Sequence, residues 1–588
     1  MNQAVIVYLF ALVVILSLVA KIRVRLQLSR AKHGSLRGHS KWSRRVARLV
    51  PFFSYNDNVF FVSDGAPESI GQHRRLALSK LETAIKQQSP LTLAQCAELE
   101  KSVSDVQFTS LYRIPFPYRE VLPQCFKLGS IADETKGSKI KDLDGNWSYD
   151  LSGSYGVNVF GYDFYKECMD EGIALTKQLG PVLGTYHPLI SENVEMIKQV
   201  SGLDEVSFHM SGTEAVMQAV RLARYHTGKS HLVRFCGAYH GWWDGVQPGV
   251  GNTRTTHDVY TLADESEDSL RVLETRKDIA CVLINPLQAF HSNNDAPSDT
   301  ALITSERSTG FDKQQYSQWL SRIRQICTQR NIVLIFDEVF TGFRLGYRGA
   351  QGFYGIQADM VTYGKTLGGG LPIGVVTGTH QLMKRFKPQQ PAHVSLARGT
   401  FNSHPYVMGA MYVFLKRIQT PEIQIQYQQS EALWNSRVAH FNQRLQAEKL
   451  PLKISNIHSI LSVSYTLPSR YNWMLQFYLK KQGIELSWTG TGRLIMSFSF
   501  SDADFKAVVE CFVQAAQHMQ QDGWWWQAPQ LTNKAIKRQF LSDMLAAKYP
   551  LLAGFLPRPL LSQQNQAHQQ PPSAGIKLND KNHLTKAG

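Results

Sequence analysis

Acidic residues are missing from the first 56 positions, and the first one is Asp57. Ten lysines and arginines lie between Lys21 and Arg48. Setting those ten aside leaves +6 of the net +16 over the rest of the 588-residue chain. The basicity is therefore a local feature and not a groove spread over a fold, which argues against a nucleic-acid partner. Cysteine is also sparse. The seven, at positions 96, 125, 168, 236, 281, 327 and 511, are scattered, with no CxxC and no Cys/His ligand spacing. That excludes a disulfide framework and a structural zinc site, points to no metal, and fits a reducing compartment. The whole chain is 43% hydrophobic and 19% charged, ordinary for a folded protein of two or three domains.

Charge is also absent from Ala4 to Ala20, which reads AVIVYLFALVVILSLVA. As a helix this run gives about 25 Å, short of a ~30 Å hydrocarbon core, and Ile22, Val24 and Leu26 extend it only if Lys21 and Arg23 snorkel. A cleaved signal would want cations before the apolar run, and here they all follow it. The expectation is a transmembrane anchor at 1–25, single-pass in the cytoplasmic membrane. The rest of the chain would face the cytoplasm, with the basic stretch against anionic membrane lipid.

Residues 26–110 read as a basic juxtamembrane and helical linker, with two helical stretches between Leu76 and Val103 broken near Pro90. The main folded body is expected from Leu111. From about 130 to 415, short β-branched runs alternate with helical patterns, the text of a mostly parallel α/β sheet. Strand runs are expected at Glu205–His209, Leu232–Phe235, Ala280–Ile284, Ile332–Phe336 and Met360–Tyr363. The domain layout is thus a large domain over 111–415, a smaller α+β domain over 416–522, and a tail over 523–588. The tail opens on Trp524, Trp525 and Trp526, which are expected to dock. It continues with a helix around Thr532–Lys548 and is Gln, Pro and Asn rich from Ser562.

Four pieces of text carry chemistry. A buried strand runs into Asp337 and Glu338, where open α/β sheets place ligands, although a single loop acid more often caps a turn. A second strand delivers Lys365 just before Gly368, Gly369 and Gly370, although a lone loop lysine is usually a solvated charge. Ser211, Gly212 and Thr213 open a helix and form a possible anion site, or only a cap. Tyr239 and His240 follow another strand, where an aromatic either stacks on a planar ring or packs in the core.

Together, in this order, they resemble the class III aminotransferases that use pyridoxal 5'-phosphate (PLP), and within them the glutamate-1-semialdehyde 2,1-aminomutase-like branch. The matching text is SGTEAVMQAVRLAR at 211–224, AYHG at 238–241, FDEVFTGFR at 336–344, GAQGFYGIQADMVTYGKTLGGGLPIG at 349–374 and GTF at 399–401, preceded by DLDGNWSYDLSGSYG at 142–156. The resemblance spans roughly residues 110 to 520. It implies the fold type I architecture and PLP as cofactor. It implies that Lys365 forms the Schiff base and moves the proton, and that Asp337 keeps the pyridine nitrogen protonated. Gly212 and Thr213, beside Ser211, would cradle the phosphate. Tyr239, next to His240, would stack on the ring, and Val339 would pack on its other face. Thr400 would reach the phosphate of a neighbouring subunit, which implies a homodimer with shared sites.

Three places depart from the family. Asn285 and Pro286 stand where many members have Glu-Pro, which puts a dicarboxylate-switching mode in doubt. Phe340 stands where Gln or Met is usual, making the pocket more apolar. The segment 285–311 is idiosyncratic. The expected activity is transfer of an amino group from an amino donor to an aldehyde or ketone acceptor, lipid-like or carrier-bound. An intramolecular aminomutase is the nearest alternative, and a non-catalytic scaffold a more distant one.

Overall fold

The computed structural model describes residues 3–34, 39–126, 131–247, 249–254, 256–287, 311–487, 492–557 and 560. The apolar runs form a seven-stranded sheet: β1 (Glu205–His209), β2 (His231–Phe235), β3 (Val259–Leu262), β4 (Ile279–Ile284), β5 (Val333–Asp337), β6 (Met360–Gly364) and β7 (Gly374–Gly378). The spatial order is β1-β7-β6-β5-β4-β2-β3. β2 through β6 pair in parallel, while β7 runs antiparallel to both β1 and β6. Every residue of β4, β5, β6 and β7 is buried. Strands covered on both faces lose the polar alternation that exposed strands keep, so they read as continuous apolar text.

The smaller domain carries three antiparallel strands, Leu452–Ile457, Ile460–Tyr465 and Arg493–Ile495, packed with the helices Pro421–Ala447 and Asp502–Gln521. Arg344 ties it to the large domain. Its guanidinium donates to Ser459 Oγ at 2.9 Å, Met496 O at 2.7 Å and Asn158 O at 3.0 Å. One fully buried side chain thus joins the loop after β5 to the small domain at Ser459 and Met496 and to the entry segment at Asn158.

The N-terminal side differs from expectation in two ways. Helix α1 spans Gln3–Arg30, but among the described residues no helix is long and apolar enough to cross a membrane. The expected transmembrane anchor at 1–25 is therefore not found. The physical reason lies where the short apolar run would need its extra turns. Arg276 Nη2 donates to Val24 O at 2.9 Å. Gln27 Nε2 donates to Thr275 Oγ1 at 3.0 Å. Ala31 is fully buried and its carbonyl accepts from Ala263 N at 2.8 Å. The segment that would have to complete the span is docked on the folded body, beside the helix Glu267–Thr275.

The second difference concerns the linker. Helix α2 (Ser40–Ala47) is followed by α3 (Glu68–Gln88) and α4 (Pro90–Glu100). Pro90 sits at the first turn of α4, where its missing N–H costs nothing. Phe53, Tyr55, Phe60 and Phe61 are buried in the same core as Tyr118, Tyr471, Trp524 and Phe540. Trp524 and Trp525 dock, donating to Tyr478 O–H at 2.8 Å and Asn472 Oδ1 at 2.9 Å. The helix Asn533–Lys548 forms as expected. Residues 50–126 and 523–548 are one layer over the small domain, built from segments far apart in sequence.

A buried ion pair sits in that layer. Arg74 donates to Asp64 at 2.9 and 2.7 Å, both side chains being essentially inaccessible. Breaking such a pair leaves an uncompensated buried charge, worth about 3–5 kcal/mol. Asp64→Asn is therefore expected to lower the first thermal transition by several degrees, measured by calorimetry. An unchanged scan would show that the layer does not depend on this pair.

Candidate active site

The ends of β5 and β6 and the turn after β1 open on one cleft of about 610 Å³. Of the residues named from sequence, Ser211, Gly212, Thr213, Tyr239, His240, Asp337, Val339 and Lys365 all line it. Thr400 does not; it is exposed, away from this cavity.

The helix Gly212–Thr227 starts at the cleft. Ser211 Oγ caps it, accepting from Glu214 N at 3.3 Å. The cap engages the third N–H and leaves the first-turn amides of Gly212 and Thr213 available to an anion. Glycine is required at 212, because a Cβ there would lie 2.6 Å from Val339 Cγ1. It is required at Gly241 too, where φ is +87° and a Cβ would lie 2.4 Å from Thr213 Oγ1.

The paired acids separate completely. Asp337 ends β5 and is buried, its Oδ2 accepting from His240 Nδ1 at 2.7 Å. Its Oδ1 accepts from Val339 N and from Thr362 Oγ1, both at 3.2 Å. Burial pushes the His240 imidazole down, more than the neighbouring carboxylate pulls it up. A neutral ring donating from Nδ1 thus steadies an acid aimed into the cleft. Glu338 faces away. It accepts from Ala350 N at 2.6 Å and Gln351 N at 3.2 Å, and burial pushes it up to about 7. It is a cap for the helix Gly349–Tyr354, not a cleft residue.

Lys365 follows β6 with φ at +47°, a left-handed conformation rare outside glycine. Such a conformation at a functional side chain is backbone strain held by its surroundings. Burial lowers its ammonium to about 8, against the opposing pull of Asp337 and with help from Arg344. That raises the share of free amine near neutral pH by more than two orders of magnitude over an ordinary lysine, the direction a nucleophilic lysine needs. Gly156 makes room beside it, since a Cβ there would fall 2.4 Å from the Phe340 ring and 3.4 Å from Lys365 Cδ.

This donor set fits PLP. It provides anion-binding amides at a helix start, a buried acid for a ring nitrogen, an aromatic and an aliphatic side chain for the ring faces, and an amine with lowered basicity. The family model that matches is the class III aminotransferases, over residues 126–516. The chain belongs to the class III aminotransferases. Among curated relatives, glutamate-1-semialdehyde 2,1-aminomutase 2 of Bacillus thuringiensis is 28% identical over 405 residues, covering 64% of this chain and 87% of that protein. Of solved structures, a transaminase with PLP bound matches with TM-score 0.56 at 24% identity, covering 71% of this chain and 99% of the other. A glutamate-1-semialdehyde aminomutase from Pseudomonas aeruginosa matches with TM-score 0.61 at 17% identity, covering 77% and 100%. PLP is the cofactor of this class III aminotransferase.

Other cleft residues were not found from sequence. Tyr155, Val157, Ser487, Arg493 and Ile495 come from the entry segment and the small domain. Arg493 is buried, with its guanidinium 5.5 Å from the centre of the Phe340 ring. No local pattern marks it, because a strand arginine gains meaning only when domain packing brings it over the cleft. Asn285 lines the cleft as well, and its Oδ1 has no hydrogen-bond partner among the described residues. Most of the idiosyncratic segment, 288–310, lies outside the described residues, as does the Gln-rich tail from 561.

Proposed function

We propose that this class III enzyme is an aminotransferase that moves an amino group to or from an aldehyde or ketone. The observation that carries the reading is the pairing of Lys365, lowered to about 8, with a buried Asp337 that His240 holds at 2.7 Å. When bound, PLP supplies an electron sink for negative charge at the substrate Cα. Lys365 Nζ would hold the cofactor and, with substrate in place, would move a proton at its Cα. Asp337 keeps the proton on the ring nitrogen. Gly212 and Thr213 amides, at the Ser211 cap, bind the phosphate, while Tyr239 and Val339 fix the ring plane. A scaffold without catalysis would have no use for an amine of lowered basicity beside a buried aspartate that a histidine holds.

Substrate character is read from the walls. Val157, Phe340, Leu371 and Ile495 are apolar, which supports a carbonyl substrate with an apolar or lipid-like body. Arg493 supports an anionic group, such as a carboxylate, at one end of it. A screen of amino donors and carbonyl acceptors, followed by cofactor absorbance, tests the reaction. An intramolecular aminomutase is the second reading, favoured by the name of the relative from Bacillus thuringiensis. Sustained turnover of one substrate with no second amino or keto compound would establish it over the transferase. Thr400, exposed and outside its own cleft, supports a homodimer in which it serves the partner's phosphate. A fully active monomer in sedimentation would refute that.

The working place proposed is the cytoplasmic face of a membrane, with α1 lying against lipid. Apolar side chains from Tyr8 to Val19 are exposed around the whole helix, and basic residues follow them directly. Removal of residues 1–20 tests this, because it spares the docked turns at Val24–Ala31. A truncated chain as membrane-bound as the intact one would refute the role of α1.

The amine also predicts a pH dependence. Attack on the cofactor's aldehyde needs neutral Nζ, and the neutral fraction rises tenfold per pH unit below the lysine's value of about 8. Reloading of cofactor-free protein with PLP is therefore expected to speed up from pH 6 to about 8 and then level off. Stopped-flow absorbance checks it. A rate still rising to pH 10 would mean that Lys365 keeps its ordinary basicity.

A further inference from the structure

A second apolar and basic surface lies beyond α1, built from α2 and the end of the described chain. α2 is fixed to the body, since Arg44 Nη1 donates to the carbonyls of Asn252, Thr253 and Arg254 at 3.2–3.4 Å. Trp42 stands out from it, 58% exposed, with the Arg45 guanidinium 5.4 Å from its ring centre. Lys41, Arg44, Arg45 and Arg48 line a hollow of about 480 Å³ with Val250 and Thr253. The chain then runs through Leu49 and Phe52, both well exposed. Lys548 Nζ donates to Leu49 O at 3.1 Å, which places the end of the helix Asn533–Lys548 beside them. The next turn, Pro550–Phe555, carries Leu551 at 94% exposure and Phe555 at 88%.

Large apolar side chains this exposed are unusual for a surface facing only water. Here they are interleaved with Lys41, Arg45, Arg48 and Lys548. The nearby acids are engaged elsewhere: Asp57 pairs with Arg75, Asp244 with Arg254, and Asp543 is largely buried, accepting from Tyr55. Trp, Phe and Leu beside Lys and Arg is the composition of an interfacial lipid contact. There, apolar tips enter the headgroup region and cations meet anionic phosphates. We propose that α2, residues 49–52 and residues 549–555 form one docking face for a bilayer rich in anionic phospholipid. The inference rests on the reading that the chain works at a lipid surface. It adds a second contact that fixes the orientation of the catalytic body, which α1 alone, as a single helix, does not.

The test is flotation of the intact PLP-loaded chain with vesicles of phosphatidylcholine alone or mixed with phosphatidylglycerol. Two variants are compared, Lys41→Glu/Arg45→Glu/Arg48→Glu and Leu551→Glu/Phe555→Glu. None of these residues belongs to the active site, and unchanged cofactor absorbance certifies the fold. The expected result is preference for the anionic vesicles, weakened by salt. The charge variant should bind about a hundredfold or more weakly, as loss of three cations at about 1 kcal/mol each implies, and the Leu551/Phe555 variant about tenfold or more weakly, from the loss of two apolar side chains that would enter the headgroup region. If the wild type floats with no vesicle, the lipid-surface reading falls together with this inference. If wild type and both variants float equally, this inference alone falls and α1 remains the only contact. Vesicle binding gained only on removal of residues 561–588 would show that the chain's own tail occupies the face, and would overturn the proposal.

Discussion

The purified enzyme should be yellow, and Lys365→Ala should lose both the colour of covalently held cofactor and at least about 10⁴-fold of its activity. A positioned general acid–base group contributes up to about 10⁴-fold on its own. On the proposed reading the same side chain would also hold the cofactor, so the two losses would compound. The geometry singles out this lysine. Its amine is lowered to about 8 by burial, and its backbone is held at φ +47° at the end of β6. Other lysines with lowered values, Lys32 and Lys229, lie outside the cleft lining. Borohydride reduction followed by peptide mapping should therefore fix the cofactor to a peptide containing Lys365. Label on any other lysine would overturn the assignment and, with it, the reading of the whole cleft. Phosphate binding should survive the substitution in part, because the Gly212 and Thr213 amides are untouched. Noncovalent PLP retained by Lys365→Ala after gel filtration would separate the two contributions.

The part of this cleft that was legible in the sequence is the part that each strand end carries by itself. Asp337, Lys365, Ser211 and Tyr239 lie at or soon after strand ends, which marks their position, while their roles came from the family resemblance that their order and spacing carry. β7 was missed because GVVTG is short and glycine-bounded, and its antiparallel pairing with β1 and β6 is decided by tertiary contact. Arg493 and Ile495 were missed for a related reason. They reach the cleft only through the packing of a second domain, which Arg344 anchors from within the motif that was read. Glu338 was given no role by the resemblance, and the structure shows why. Two adjacent acids look equivalent as text, but strand alternation points them to opposite faces, one into the cleft and one onto the amides of Ala350 and Gln351. The N-terminal helix was legible as a helix, while its docked end was not. Hydrogen bonds from Arg276 and Gln27 to partners some 250 residues apart in sequence leave no local trace.

Asp337→Asn should bind PLP less firmly and turn over about three orders of magnitude more slowly, roughly 4 kcal/mol of barrier at about 1.36 kcal/mol per decade. The carboxyl group sits in a buried site beside His240, whose imidazole is pushed down by burial, and a protonated ring nitrogen would be its charge partner. An amide keeps the shape and removes the negative charge, and an unprotonated ring accepts electrons from Cα poorly. Asn can also still accept from Val339 N and Thr362 Oγ1, so the loss should appear in kcat and not in thermal stability. His240→Ala provides the graded comparison. It leaves the charge of Asp337 in place but removes its 2.7 Å donor, so the carboxylate is less well aimed. The expected loss there is about tenfold, the size of one net hydrogen bond to a charged group. A combined variant should be little worse than Asp337→Asn alone, because His240 acts only through Asp337. Near-normal turnover in Asp337→Asn would sink the role of the acid. A fully additive double variant would instead mean that His240 touches the reacting groups itself.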